Sequence, residues 1–225
     1  MLKVVRSCRL GYLVLTALLG AAYDAFAGEQ RYEPLAASVQ AALHGSVADR
    51  ASPTLVFATP QEGRAWLSAM SQRLAKHMAD QRTREDFLTT VQYEAKRAGL
   101  DPQMVLGLIE VESRFRKYAV SRAGARGYMQ VMPFWVVLIG DADHDLFKLR
   151  TNLRYGCVVL RHYLDIEGGD IYRALGRYNG SLGGKSPYAV KVVQAWQERW
   201  LFPGGGATHP YAGRAVPLRY RGEAQ

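Results

Sequence analysis

Apolar positions along the chain recur with the 3.6-residue period of buried helix faces, and no alternating stretch reads as a strand. Thr59-Pro60-Gln61-Glu62 sets a capping hydroxyl, a proline at the first helical position and a carboxylate that can reach back, which predicts a helix to about Met78. Thr83-Arg84-Glu85-Asp86 predicts a second, with Phe87, Val91, Ala95 and Ala98 on its apolar face and Gly99 as its stop. Asp101-Pro102 opens a third. Further helices are expected from about Asp145 to Leu164, Asp170 to Arg177 and Tyr188 to Trp200. Between Gly28 and Ala58 no period is sustained and Pro34 and Pro53 interrupt the chain, so residues 28–58 are expected to be a weakly ordered approach segment. Residues 59–201 are expected to form one mainly α domain. Residues 202–225, rich in Gly, Pro and Arg, read as a flexible basic tail.

The third helix carries one polar residue out of place. At about 100° per residue, Met104, Val105, Leu108, Ile109 and Phe115 share a face, and Glu112 falls in the middle of it. Glu110 points the other way, where Arg114 four residues on can pair with it. A carboxylate on an apolar stripe is costly unless paired, neutral or placed at the floor of a cleft. Desolvation raises its pKa, as a general acid near neutral pH requires. The helix alone leaves two readings open: a general acid, or half of a buried salt bridge to another helix.

The first residues place this helix outside the cytoplasm. Lys3, Arg6 and Arg9 precede an apolar run from Leu10 to Ala22, and Ala25-Phe26-Ala27 follows, as in a cleaved secretory signal over residues 1–27. The run is shorter than the roughly 20 residues of a membrane anchor, so no stable membrane insertion is expected once it is removed. Removing three bases and one acid lowers the formal charge from +9 to +7, and the basic balance therefore belongs to the mature chain. Such a surface attracts anions of any kind, but export argues against a nucleic-acid partner. Cys8 would leave with the signal. Cys157, alone in the mature chain, shares a helical face with Leu153, Leu160 and Leu164 and reads as a small buried hydrophobe.

Glu112-Ser113-x-Phe115, then Ala119-x-Ser121, Gly124-Ala125-x-Gly127-x-Met129-Gln130 and Pro133, then Tyr178-Asn179-Gly180 resemble, in order and spacing, the catalytic domain of the soluble lytic transglycosylases. That family belongs to the lysozyme-like superfamily with the goose-type lysozymes, and the likeness runs from about Thr83 to Trp200. It implies a lysozyme-like transglycosylase domain with a helical N-terminal extension. It also implies cleavage of the β-1,4 bond between N-acetylmuramic acid and N-acetylglucosamine in peptidoglycan strands, with a 1,6-anhydro end as product. Glu112 would be the only acid/base, and Tyr178 would reach its carboxyl. Ser113 would help to place the acid, Ser121 and Gln130 would touch sugar at the cleavage point, Met129 and Met132 would line the cleft and Asn179 would hold substrate. Read singly, Tyr178 and Met129 suit a core, and Ser121 a turn or helix cap.

The chain departs from the pattern at Tyr128 (usually Leu), Arg177 (usually Ala), Arg116-Lys117 (commonly Asn-Pro) and Gly180-Ser181-Leu182-Gly183-Gly184. A hydrolytic goose-type muramidase and a non-catalytic wall-binding component of an envelope-spanning apparatus stand as alternatives. A monomer is expected, with room for a partner in an envelope complex. No cofactor is implied. Asp141-x-Asp143-x-Asp145 starts like a calcium loop, but Leu146 and Asn152 occupy the positions that need Gly and Glu, so it reads as a polar loop or cap. The five histidines have no two-ligand spacing, and no metal is expected.

Overall fold

Side-chain acceptors set where the helices begin. In a computed structural model that describes residues 30–48, 50–181 and 186–202, eight α-helices are followed by one π-helical turn: α1 Ala37–Val47, α2 Pro60–Leu74, α3 Gln81–Arg97, α4 Pro102–Ser113, α5 Phe134–Ile139, α6 Leu149–Ile166, α7 Ile171–Tyr178, α8 Pro187–Gln194 and the π turn Ala195–Trp200. Among the described residues there is no strand, only two isolated bridges, Val120 with Arg126 and Arg126 with Val131. The mainly α class holds. The signal at 1–27 and the tail from residue 203 onward lie outside the described residues.

Several caps are those the sequence offers. Thr59 Oγ1 accepts from the Glu62 N–H at 3.2 Å, Asp101 Oδ1 from Gln103 at 2.7 Å, and Asp170 Oδ1 from Tyr172 and Arg173 at 3.0 and 3.1 Å. Other boundaries shift. α3 starts before Thr83, because Asp80 takes the Thr83 N–H at 2.7 Å and becomes the cap. α6 starts at Leu149 rather than Asp145, whose carboxylate instead closes a turn with the Phe147 N–H at 2.8 Å. α2 stops at Leu74, short of Met78.

α4 is buried on nearly every side, which makes it the central helix. It packs against α3, α8 and the π turn, while α6 bridges α3 and α7. Gly107 lets α4 approach the π turn closely, since a Cβ there would lie 2.8 Å from the Trp196 nitrogen. The helix ends at Ser113. Arg114 and Phe115 follow with φ of 51° and 61°, a left-handed pair without glycine. Phe115 is therefore not on the helical face that rotation assigns to it. It reaches the core through that bend, its ring 4.8 Å from His77 and 5.3 Å from Trp200.

The approach segment is more ordered than its sequence implies. α1 is mostly exposed and lacks a sustained apolar stripe, which is why no period marks it. The domain holds it by the backbone instead. Gln40 Nε2 donates to Leu138 O of α5 at 2.6 Å, Arg154 to Val47 O at 3.2 Å, and Arg97 to Ser46 O. Gln92 exchanges two hydrogen bonds with the Val56 backbone, at 2.9 and 2.6 Å. The two arginines belong to a buried cluster around Glu94, whose carboxylate accepts from Arg154 at 2.8 Å, Arg97 at 3.2 Å and Arg150 at 3.3 Å.

Cys157 packs in α6 beside Leu153, Leu160 and Leu164, all within 1% of full burial. Burial, with the charge of Glu94 second, pushes its thiol well above the ordinary range. The native chain should thus leave Cys157 unmodified by a thiol-titrating disulfide reagent, with full reaction after denaturation. Rapid labelling of the native protein would contradict this packing.

Candidate active site

Three elements bring the site together. α4 presents Glu112 and Ser113 at its last turn, α8 presents Tyr188 in its first turn, and Asn179 caps the end of α7. They line a cleft of about 820 Å³, with His77, Arg114, Arg116, Lys191 and Arg199 among the other walls. Glu112 sits at the cleft with 2% of its surface exposed. Its Oε1 accepts a hydrogen bond from the Tyr188 hydroxyl at 2.5 Å.

Burial, the charge of Glu112 and the hydrogen bond to it hold the Tyr188 hydroxyl well above the usual phenol range. It therefore stays neutral and donates. Glu110 also lines the cleft, but its Oε2 accepts from Arg199 Nε at 2.9 Å and Trp200 Nε1 at 2.7 Å. The expected pairing with Arg114 does not form, because the helix ends before Arg114. The remaining cations give the walls a positive bias.

Tyr178 occupies a different place from the expected one. Its hydroxyl donates to Met129 O at 2.8 Å rather than to the Glu112 carboxyl. Burial first, and the Glu112 charge second, raise it well above the usual range. Tyr188, 76 residues from Glu112 in sequence, takes the contact expected of it. The only sequence signal for Tyr188 is the Ser186-Pro187 helix start, which puts it in a first turn without saying what it faces.

Of the residues expected to place the acid, line the cleft or contact substrate, Ser113 and Asn179 line this cleft, and Ser121, Met129, Gln130 and Met132 are not among its walls. Ser113 Oγ bonds back to Ile109 O at 3.2 Å. Ser121 Oγ accepts from the Ala125 N–H at 3.1 Å and closes a turn. Gln130 is buried with φ of 49°, its Nε2 donating to Ala119 O at 3.0 Å and Gly127 O at 2.8 Å. Met129 packs fully buried against Gly156, where a Cβ would meet its Sδ at 2.4 Å. Met132 is half-buried against the core. These four shape the loop behind the site.

Away from the cleft, Asp141, Asp143 and His144 bring one ligand atom each within 4.8 Å of one another. The acids are exposed, and the His144 ring also bonds the Tyr155 hydroxyl at 2.7 Å.

Residues 89–192 match the model of the transglycosylase SLT domain. Among curated relatives, the membrane-bound lytic murein transglycosylase C of Actinobacillus pleuropneumoniae serotype 5b (strain L20) is 44% identical over 73 residues, which cover 32% of this chain and 20% of that protein. The protein of the same name from Mannheimia succiniciproducens is 38% identical over 79 residues, 35% of this chain and 20% of the relative. The chain thus spans about a fifth of the length of these relatives. A solved structure of an inactive variant of the lytic transglycosylase Slt from Pseudomonas aeruginosa aligns with a TM-score of 0.40 at 20% identity, over 60% of this chain and 28% of that one. No described helix is long and apolar enough to cross a membrane.

Proposed function

We propose that the protein is a peptidoglycan lytic transglycosylase that breaks the bond between N-acetylmuramic acid and N-acetylglucosamine without consuming water. The observation that carries this is a carboxyl 2% exposed at a cleft and held by a neutral hydroxyl, Glu112 with Tyr188. The SLT match and the activity for which the relatives are named support it. Glu112 gives its proton to the glycosidic oxygen as the bond to C1 breaks, and the substrate's acetamido group stabilises the cationic centre. The muramyl 6-hydroxyl then attacks C1, and Glu112 takes back that hydroxyl's proton. No protein nucleophile is needed, unlike the usual two-carboxylate scheme. Tyr188 fixes the carboxyl, and Asn179 faces the sugar. The cationic walls suit a polymer whose stem peptides carry carboxylates. Residues 1–27 would export the chain to the envelope.

Mass spectrometry of the soluble products from peptidoglycan sacculi tests this. Products lighter by about 18 mass units than hydrolytic fragments, the mass of one water, are expected. Hydrated products would make the protein a goose-type muramidase, and no products would make it a wall-binding component. Tyr188→Phe should keep the fold and lower kcat about tenfold or more, because a buried hydrogen bond to a charged group is worth about 1.5–3 kcal/mol. Initial rates on sacculi read this, and an unchanged kcat would remove Tyr188 from the mechanism.

A further inference from the structure

Gln30 stands outside the residues matched to the SLT domain, yet its side chain is 3% exposed and works inside it. Nε2 donates to Gln130 O at 3.0 Å, and Oε1 accepts from the Met132 N–H at 2.8 Å, across some 100 residues of sequence. The residue between those bonds and Gly127 is strained: Gln130 holds φ of 49° without being glycine. Such backbone persists only where its surroundings over-determine it. Gln130's own amide fixes one side of the loop, on Ala119 O and Gly127 O. Gln30 fixes the other.

What this loop presents is a carbonyl. Met129 O receives the Tyr178 hydroxyl at 2.8 Å, and Tyr178 directly precedes Asn179, which lines the cleft with Glu112. The same arm reaches the end of α7 a second way. Glu33 accepts from Arg177 at 2.9 and 3.2 Å, and Arg177, also held by Glu167 at 2.8 Å, directly precedes Tyr178 and the cleft residue Asn179. Between these contacts the Tyr32 ring sits edge-on to Phe134 at 5.7 Å.

We propose that Gln30 is a positioning residue: by pinning the Gln130–Met132 backbone it sets the carbonyl that seats Tyr178 beside the cleft residue Asn179, while Glu33 braces the same end of α7. The arm is thus a working part of the catalytic domain, in a reaction that takes Glu112 as the acid/base proposed above. Glu33 is the lesser contributor, since its side chain is 44% exposed and such ion pairs are screened.

The test compares the purified chain with its Gln30→Ala and Gln30→Glu variants. The second is nearly isosteric and keeps the acceptor for Met132, but loses the donor for Gln130. Each should lower kcat about tenfold with KM within about twofold, because a small misplacement behind the reacting group acts on the bound state. Amide hydrogen exchange at Tyr178 and Asn179 should quicken in step. Glu33→Ala should lose about threefold, with Glu33→Asp restoring the rate. Wild-type kcat in folded Gln30 variants, or a loss confined to KM, would overturn the proposal. If Gln30→Ala does not fold, Gln30→Glu gives the result. Should the unaltered chain release no anhydro product, the assignment of Glu112 fails, and hydrogen exchange still decides the brace: unchanged protection at Tyr178 overturns it, and weakened protection supports it.

Discussion

Glu112→Gln should lower turnover on sacculi by on the order of a thousandfold or more while leaving the fold intact. The amide has the size and shape of the acid and can still accept the Tyr188 hydrogen bond at Oε1. It cannot supply a proton to the leaving oxygen. A loss of this size is about 4 kcal/mol of transition-state stabilisation, within the range of a positioned general acid. The melting temperature should move by no more than a few degrees, because the amide fills the same volume and keeps the Tyr188 hydrogen bond. Parallel product-release rates and thermal melts check both halves. A folded variant keeping a tenth of the rate would show that the proton comes from elsewhere.

The largest effect on stability is expected away from the cleft lining, from Glu94→Ala. Glu94 is 1% exposed and is the carboxylate on which Arg97, Arg150 and Arg154 converge. Arg154 is itself buried at 8% exposure. Deleting one partner of a buried ion pair leaves the other charge in a poorly solvated place, at a cost of about 3–5 kcal/mol. The same arginines carry the carbonyls of Ser46 and Val47, so the loss should also loosen α1. Denaturant unfolding should show the midpoint falling sharply, with faster amide exchange through residues 37–47. A change below about 1 kcal/mol would mean that the cluster contributes little net stability.

Glu94 and Glu112 show what could be read in the sequence. Glu112 is legible because rotation along α4 places it on an apolar face, a local property of twelve residues. Rotation does not choose between its two readings, acid or buried ion pair; the structure adds that Glu112 lies at a cleft beside a hydroxyl, while Glu94 has the arginine cluster. Most helices were legible for the same local reason, through their caps at Thr59, Asp101 and Asp170. α1 was not, since its order comes from side chains of α3 and α6 bonding its backbone and from Gln40 bonding the backbone of α5, and no period records that. α5 is too short, at six residues, to display one.

The cleft was legible where the resemblance concerned Glu112 and Ser113, which both line it, and less so where it assigned contacts. Tyr178 is in the right region but bonds a carbonyl, and Tyr188 supplies the hydroxyl to Glu112. Spacing along the chain cannot choose between two tyrosines on successive helices. Ser121, Met129, Gln130 and Met132 shape the loop behind the site, and a strained backbone at Gln130 explains why its amide is used internally. Arg177, where alanine is usual, has its reason outside the motif, in Glu33 and Glu167.

The central claim is that Glu112 drives cleavage with a substrate hydroxyl in place of water. Digesting sacculi in heavy-oxygen water, with the unaltered chain and Glu112→Gln side by side, tests it most directly. New muramyl ends free of heavy oxygen, formed by the unaltered chain and absent with the variant, are the expected result. Glu112-dependent ends that carry heavy oxygen would show that water is the nucleophile and contradict it.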